Sequence, residues 1–384
     1  MTNNSTASYV VETFDAELFL KEYWQQKPVV LKNFFSQFED PIDENDLAGL
    51  AQEEDIDARV VSNVNGRWSV TQGPIKRFEK ACKGCWTLLV QGVDKYVPDV
   101  APLLYPFDFI PNWRLDDLMV SFAVRGAGVG AHIDQYDVFL IQGKGKRRWR
   151  VGAPGEYVEV FPHEKLRQID GFQAVIDVEV EAGDVIYVPP GWPHEGQTLE
   201  DSLTYSVGYR APDNLQLAES LAMMLDRGIN NVRYTDPSRA SQAFPAHVNH
   251  LDVSALKQQL IDVVNSDDFT LALLEAMSEQ GIPEYPLEPE ITLEQVANEF
   301  AAGISFIPAT GVRPLISCGE SGLPQALFVN GSQFNFQDED REWFEVLGKG
   351  SILNATCCEE APSFAFLETL TTLLNNGYWE WLEE

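Results

Sequence analysis

Basic residues are scarce in this chain: 27 Lys and Arg stand against 59 Asp and Glu, a net charge of −32 over 384 residues. Such a field opposes nucleic acid as a direct ligand, because phosphate contacts need clustered cations. It favours a cationic protein partner, drawn in by long-range attraction. Apolar runs of membrane-spanning length are absent, so no membrane segment is expected. The start, Met1-Thr2-Asn3-Asn4-Ser5, lacks the basic and apolar regions of a secretory signal. Cysteine is sparse and odd in number, at five, which argues against a disulfide framework. Cys82-Lys83-Gly84-Cys85 has metal-site spacing, but no second pair follows, so these read as ordinary thiols. A cytoplasmic protein is the simplest account. Repeats and low-complexity tracts are also missing.

What is present is a chain 45% hydrophobic and 11% aromatic, ample for packed cores and long enough for two or three domains. Residues 1 to about 210 read as short strands bounded by Gly, Pro or Asp: Leu118–Val124, Val138–Gln142, Arg148–Val151, Val175–Val180, Val185–Val188 and Leu203–Tyr209. Their density predicts an α+β chain whose first part is a double-sheet jelly roll. Ahead of them Phe14–Trp24 reads as a helix and Val29-Val30-Leu31 as a strand. Helical spacing then takes over at Asn214–Arg227, Ser254–Asn265 and Asp268–Glu279. Pro283 to Pro289 reads as an extended, semi-rigid linker. Beyond it come a capping box at Thr292 and Gln295, a hairpin around Asn330-Gly331, and a helix from Ser363 to Leu374. Helix, hairpin and helix suggest a small winged-helix-like domain; the acidic balance, with Glu380, Glu383 and Glu384, opposes DNA binding there. The expected division is 1–211, 212–282, 283–290 and 291–384.

Histidine is rare too, at five residues, yet two of them fill one pattern: His132-Ile133-Asp134, then His194, 60 residues after Asp134. Residues i and i+2 of a strand share a face, so His132 and Asp134 can reach one ion. His194 ends Pro189-Pro190-Gly191-Trp192-Pro193-His194, where proline suits a strand end at a barrel mouth. Two imidazoles and one carboxylate can cap one face of an octahedral iron, leaving positions for a keto acid and O2. Zinc accepts the same donors. Arg147 lies 13 residues after Asp134. If it points inward, its guanidinium can grip the far carboxylate of a keto diacid. Gly126-Ala127-Gly128-Val129-Gly130 is no phosphate loop, since no Walker lysine follows; it reads as a turn that delivers His132. His163, His247 and His250 lack a carboxylate pattern and read as surface or helix-cap residues. Asp117 and Asp137 are candidate acids for a cationic substrate at the mouth.

The chain resembles the JmjC 2-oxoglutarate oxygenases, and among them the bacterial ribosomal oxygenases. Asp117–Phe122, Gly130–Asp137, Pro189–Gly196, Asn375-Asn376-Gly377-Tyr378-Trp379 and Lys27-Pro28-Val29-Val30-Leu31 carry the resemblance, which spans nearly the whole chain. It implies a JmjC barrel (a double-stranded β-helix), a helical dimerisation region and a C-terminal winged helix. It implies Fe(II) on His132, Asp134 and His194, with 2-oxoglutarate as co-substrate held by Arg147 and Ser121, and O2. The implied reaction is 3-hydroxylation of an arginine in the large-subunit ribosomal protein L-sixteen, with succinate and CO2 released, by a homodimer. The human relatives use lysine where Arg147 stands, which favours an arginyl over a histidyl hydroxylase. Thr204 stands where a related enzyme carries asparagine, so its role is open. Two readings from other classes remain beside this one: an acidic adaptor with a vestigial barrel, and a cupin-type metalloenzyme with another reaction.

Overall fold

The computed structural model describes residues 9–11, 14–241, 244–282 and 285–382, so Met1–Ser5, Pro283, Glu284, Glu383 and Glu384 lie outside the described residues. The chain forms two compact units, Met1–Ala211 and Pro212–Glu384. None of the described helices is long and apolar enough to cross a membrane.

In the first unit an eight-stranded sheet runs in the order Val29–Leu31, Val185–Val188, Asp137–Gln142, Ser202–Tyr209, Leu115–Ala123, Cys85–Val90, Ala58–Val64 and Arg67–Gln72. A four-stranded sheet runs Ala174–Glu181, Lys146–Gly152, Pro193–Thr198 and His132–Ile133. The two sheets share one barrel interior. Every named pairing within them is antiparallel, as a double-stranded β-helix requires.

The larger sheet is covered on both faces, and its sequence explains how. In Asp137–Gln142 all six residues are buried. Val138 and Leu140 join the barrel core with Trp149, Val151 and Ile186, whereas Phe139 and Ile141 join the layer formed with Phe19, Phe34 and Phe107. Ser202–Tyr209 is likewise wholly buried: Leu203, Tyr205 and Val207 face the aromatic layer, so Thr204 and Ser206, on the alternate positions, face the barrel. Buried hydroxyls on that inner face mark it as more than packing. The helix before the barrel is shorter than its sequence suggests, Ala16–Glu22, and is capped by the Asp15 side chain accepting from Leu18 N–H.

In the second unit the helices are Asn214–Asp226, His250–Val264, Asp267–Ser278, Leu293–Ala301, Arg341–Gly348 and Phe364–Asn375. The hairpin Pro324–Val329 with Ser332–Asn335 turns at Asn330 and Gly331, both at positive φ. The segment after Gly281 is anchored to the second unit in its described part. Leu287 and Ile291 pack on the core around Trp343 and Phe366, Leu287 N–H donates to Asn375 C=O at 2.9 Å, and Ile291 N–H donates to Asn375 Oδ1 at 2.8 Å. Apolar side chains between the prolines give this stretch a surface to bury. Helix Asp267–Ser278 is stitched to the hairpin turn, since Gly331 N–H donates to Ser278 Oγ at 3.0 Å. Helix Arg341–Gly348, unexpected from sequence, fits its apolar residues Trp343, Phe344 and Leu347 into the same core.

Candidate metal centre and co-substrate cavity

Antiparallel register collapses the distance between the two histidines. His132 and His194 are cross-strand partners, and their rings lie 4.3 Å apart. Asp134 follows the short strand His132–Ile133, and its backbone carbonyl accepts from Gly191 N–H at 2.8 Å, which pins the Pro-Pro-Gly turn beside it. Asp134 Oδ2 stands 3.7 Å from His132 Nε2 and 3.6 Å from His194 Nε2. One ligand atom from each of the three residues lies within 4.8 Å of the others.

The ring orientations follow from the backbone. His132 Nδ1 meets Gly130 C=O at 2.9 Å, and His194 Nδ1 meets Trp192 C=O at 3.1 Å. A carbonyl only accepts, so both Nδ1 atoms carry the proton and both Nε2 lone pairs face the centre. Burial, reinforced by the neighbouring His132, lowers the His194 pKa to about 4. His194 is therefore neutral near pH 7, the form a metal requires. Among the described residues no other group of three such donors converges. Cys82 and Cys85 are free, and burial pushes the Cys82 thiol up to about 11, which makes it a poor ligand.

The triad opens on a cavity of about 440 Å³, lined among others by Arg147, Trp149, Ser121, Leu140 and Met119. Strand Lys146–Gly152 alternates as its sequence suggests. Arg148 and Arg150 face outward to Asp177 and Glu195, at 2.6 and 3.2 Å, while Arg147, only 4% exposed, faces in. Arg147 Nη1 donates to Thr204 Oγ1 at 3.1 Å, and the guanidinium lies 5.0 Å from the Trp149 ring centroid. Gly196 gives it room: a Cβ there would come within 3.0 Å of Arg147 Nε and 2.9 Å of Trp149. Arg147 Nε has no hydrogen-bond partner among the described residues, and burial alone lowers the pKa of this guanidinium to about 10. A buried cation with no ion-pair partner among the described residues is incomplete by itself.

Thr204, whose role the sequence left open, is the support of Arg147. Its hydroxyl accepts from Arg147 and can donate to Gln142 Oε1 at 3.5 Å. Gln142 is in turn fixed by its Nε2, which donates to Leu203 C=O at 3.0 Å. Ser121 is the cross-strand neighbour of Thr204 and is buried on the cavity wall. Of the two candidate mouth acids, Asp137 is ruled out. It is fully buried on the far side of its strand, where Arg114 at 3.2 Å, Tyr187 at 2.5 Å and Gln25 at 2.9 Å consume it. Asp117 accepts from Gly92 N–H at 2.8 Å. Burial, then Asp94 and Asp116, raise its pKa to about 6. His163 sits at the end of strand Glu159–His163, accepting from Lys165 N–H, and His250 opens a helix of the second unit; neither is a metal ligand here.

Two imidazoles and a carboxylate converging inside a double-stranded β-helix define a barrel of the 2-His-1-carboxylate class. Comparison with known proteins narrows the class. A JmjC domain model matches residues 102–217, and a ROXA-like winged-helix model matches residues 255–380. The ribosomal protein uL16 3-hydroxylase of Escherichia coli K12 is 38% identical over 368 residues, covering 94% of this chain and 96% of that protein. A probable ribosomal oxygenase of Haemophilus influenzae is 34% identical, covering 72% of each. Among solved structures, the X-ray structure of Escherichia coli ycfD matches with a TM-score of 0.90 at 37% identity, over 98% of this chain and 100% of that one. The structure of that oxygenase in complex with cobalt and 2-oxoglutarate matches with a TM-score of 0.87 at 36% identity, over 97% and 99%. The chain belongs to the bacterial ribosomal oxygenase family of JmjC proteins.

Proposed function

We propose that this chain is an Fe(II)- and 2-oxoglutarate-dependent hydroxylase whose substrate is an arginine of the large-subunit ribosomal protein uL16. The observation that carries the reading is Arg147, a buried guanidinium without a carboxylate partner, in the same cavity as three metal donors. His132, Asp134 and His194 would hold the iron, their donor set fitting it in charge and tautomer. Iron bound there supplies the oxidising chemistry, using O2 and the keto acid to place one oxygen atom on a substrate C–H bond as succinate and CO2 leave.

The chain's own residues position the reactants. Arg147 offers its free Nε–H and Ser121 its hydroxyl to the far carboxylate of 2-oxoglutarate, while Thr204 keeps the guanidinium from swinging away. Trp149, Val138 and Leu140 exclude water around it. Asp117, rather than Asp137, is the acid placed to attract the substrate cation, and the −32 charge favours a basic protein over nucleic acid.

Incubation with Fe(II), 2-oxoglutarate and arginine-containing uL16 peptides tests this. A mass gain of one oxygen, lost in Asp134→Ala, is the expected result. Binding without turnover would instead support the acidic adaptor. Oxidation of a histidine peptide in its place would support a histidyl hydroxylase.

We also infer a cytoplasmic homodimer formed through the helical region 212–282. Helix His250–Val264 has no buried residue, with Leu251 62%, Leu256 50% and Leu260 56% exposed, and an apolar stripe this open needs a cover. A monomeric mass by light scattering at micromolar concentration would refute it.

A further inference from the structure

Besides Arg147 Nε, the cavity wall holds two unpartnered polar atoms among the described residues, Thr87 Oγ1 and Gln91 Oε1; the first is a hydroxyl that can itself donate to the co-substrate, whereas the second is an amide oxygen that only accepts. Strand Cys85–Val90 alternates: Thr87 and Leu89 line the cavity, while Leu88 and Val90 enter the core behind the sheet. Gln91 continues the inward set and also lines the cavity. Its backbone is fixed from both sides. Gln91 N–H donates to Asp57 C=O at 2.9 Å, and the next amide, Gly92 N–H, donates to Asp117 Oδ2 at 2.8 Å. Register places Gln91 beside Met119, because Val90 pairs with Val120, and Met119 pairs with Ser206. All three side chains line the cavity. Yet Gln91 Oε1 is buried and has no hydrogen-bond partner among the described residues.

A buried amide oxygen without a donor is destabilising and rare in folded proteins. The keto acid cannot supply that donor, since its carboxylates only accept. A second substrate entering beside Met119 and Asp117 can bring that donor. A guanidinium suits this: it is planar, carries five N–H groups, and can satisfy a charged and a neutral acceptor at once. Resting on the arginyl reading above, we propose that Gln91 Oε1 accepts a hydrogen bond from the guanidinium of the target arginine and so sets the preference for arginine. Asp117 then supplies the charge and Gln91 the direction. A lysine ammonium, a point charge on a flexible stem, lacks the planar fork that aims two N–H groups in fixed directions.

The test compares wild type, Q91L and Q91E, loaded with Fe(II) and 2-oxoglutarate, on a peptide carrying the target arginine and on its lysine counterpart. Q91L should raise the KM for the arginine peptide about tenfold, the loss of one hydrogen bond to a charged group. It should leave the KM for 2-oxoglutarate unchanged. Q91E, which keeps the acceptor oxygen, should hold the arginine peptide within about threefold of wild type. An unchanged peptide KM in Q91L overturns the proposal. If wild type does not oxidise the peptide, the hydroxylase reading fails, and Gln91 is judged apart from it. N-acetylarginine amide is then titrated into zinc-loaded wild type and Q91L with 2-oxoglutarate present. Saturable binding lost in Q91L upholds the assignment, and equal binding, or none to either, overturns it. Should Q91L not fold, Q91M carries the same comparison.

Discussion

Arg147→Met separates what this residue costs the fold from what it gives the site. Burial moves the guanidinium pKa from 12.5 to about 10, which corresponds to about 3 kcal/mol against the charged form. Methionine removes that cost, keeps an unbranched chain over Trp149, and loses two favourable contacts. The hydrogen bond to Thr204 Oγ1 contributes about 1 kcal/mol, and the cation–π contact with Trp149 about another. The balance favours the variant by about 1 kcal/mol when no keto acid is present, a rise in Tm of about 2–4 °C for a unit of this size. Calorimetry in EDTA without 2-oxoglutarate reads this directly. With metal and saturating 2-oxoglutarate the order reverses: wild type gains about 2.7 kcal/mol at a hundred times its Kd, and the variant gains almost nothing. Its KM for 2-oxoglutarate rises about a hundredfold, since hydrogen bonds to charged groups contribute about 1.5–3 kcal/mol each. A fall in Tm of about 5 °C without ligand, together with a normal KM for 2-oxoglutarate, would refute the reasoning, because Arg147 would then be a structural cation.

Thr204→Val leaves Arg147 Nη1 without its acceptor, so the KM for 2-oxoglutarate should rise about tenfold; the peptide KM should not move, and Thr204→Ser should restore function. Asp137→Asn takes the charge from a fully buried carboxylate held by Arg114, Tyr187 and Gln25, and should lower the denaturation midpoint by the equivalent of about 2–4 kcal/mol while peptide affinity stays normal. Asp117, with its pKa raised from 3.8 to about 6, is protonated in the folded protein through a window in which the unfolded chain is ionised. It therefore opposes folding as pH rises through that window, yet only its ionised form attracts a cation. Peptide KM should improve as pH rises through about 6 in wild type and be flat in Asp117→Asn, measured at fixed ionic strength.

The contrast between Asp117 and Asp137 shows where a sequence stops being legible. Both are acids beside apolar runs, and nothing local distinguishes them. Only the pairing of strand Asp137–Gln142 with its neighbours turns Asp137 away from the cavity, to Tyr187 and Gln25, residues 50 and 112 positions distant. The metal triad was readable because its chemistry demands particular residue types at a short spacing, and alternation along Lys146–Gly152 was enough to send Arg147 inward. Nothing local in the sequence singled out Thr204 or Gln91. Threonine and glutamine on a strand have many bland explanations, and what marks these two is a bond to Arg147 in one case and a missing bond in the other. The strands carrying the inner face are buried on both sides, so their apolar pattern hides which alternate residue faces the ligand. The packing of Leu287 was hidden for a related reason: an apolar residue between prolines finds a core only the folded unit supplies. Residues that bind by chemistry can be read from type and spacing, whereas residues that bind by what their neighbours leave unsatisfied become visible only when every donor and acceptor around the cavity has been matched.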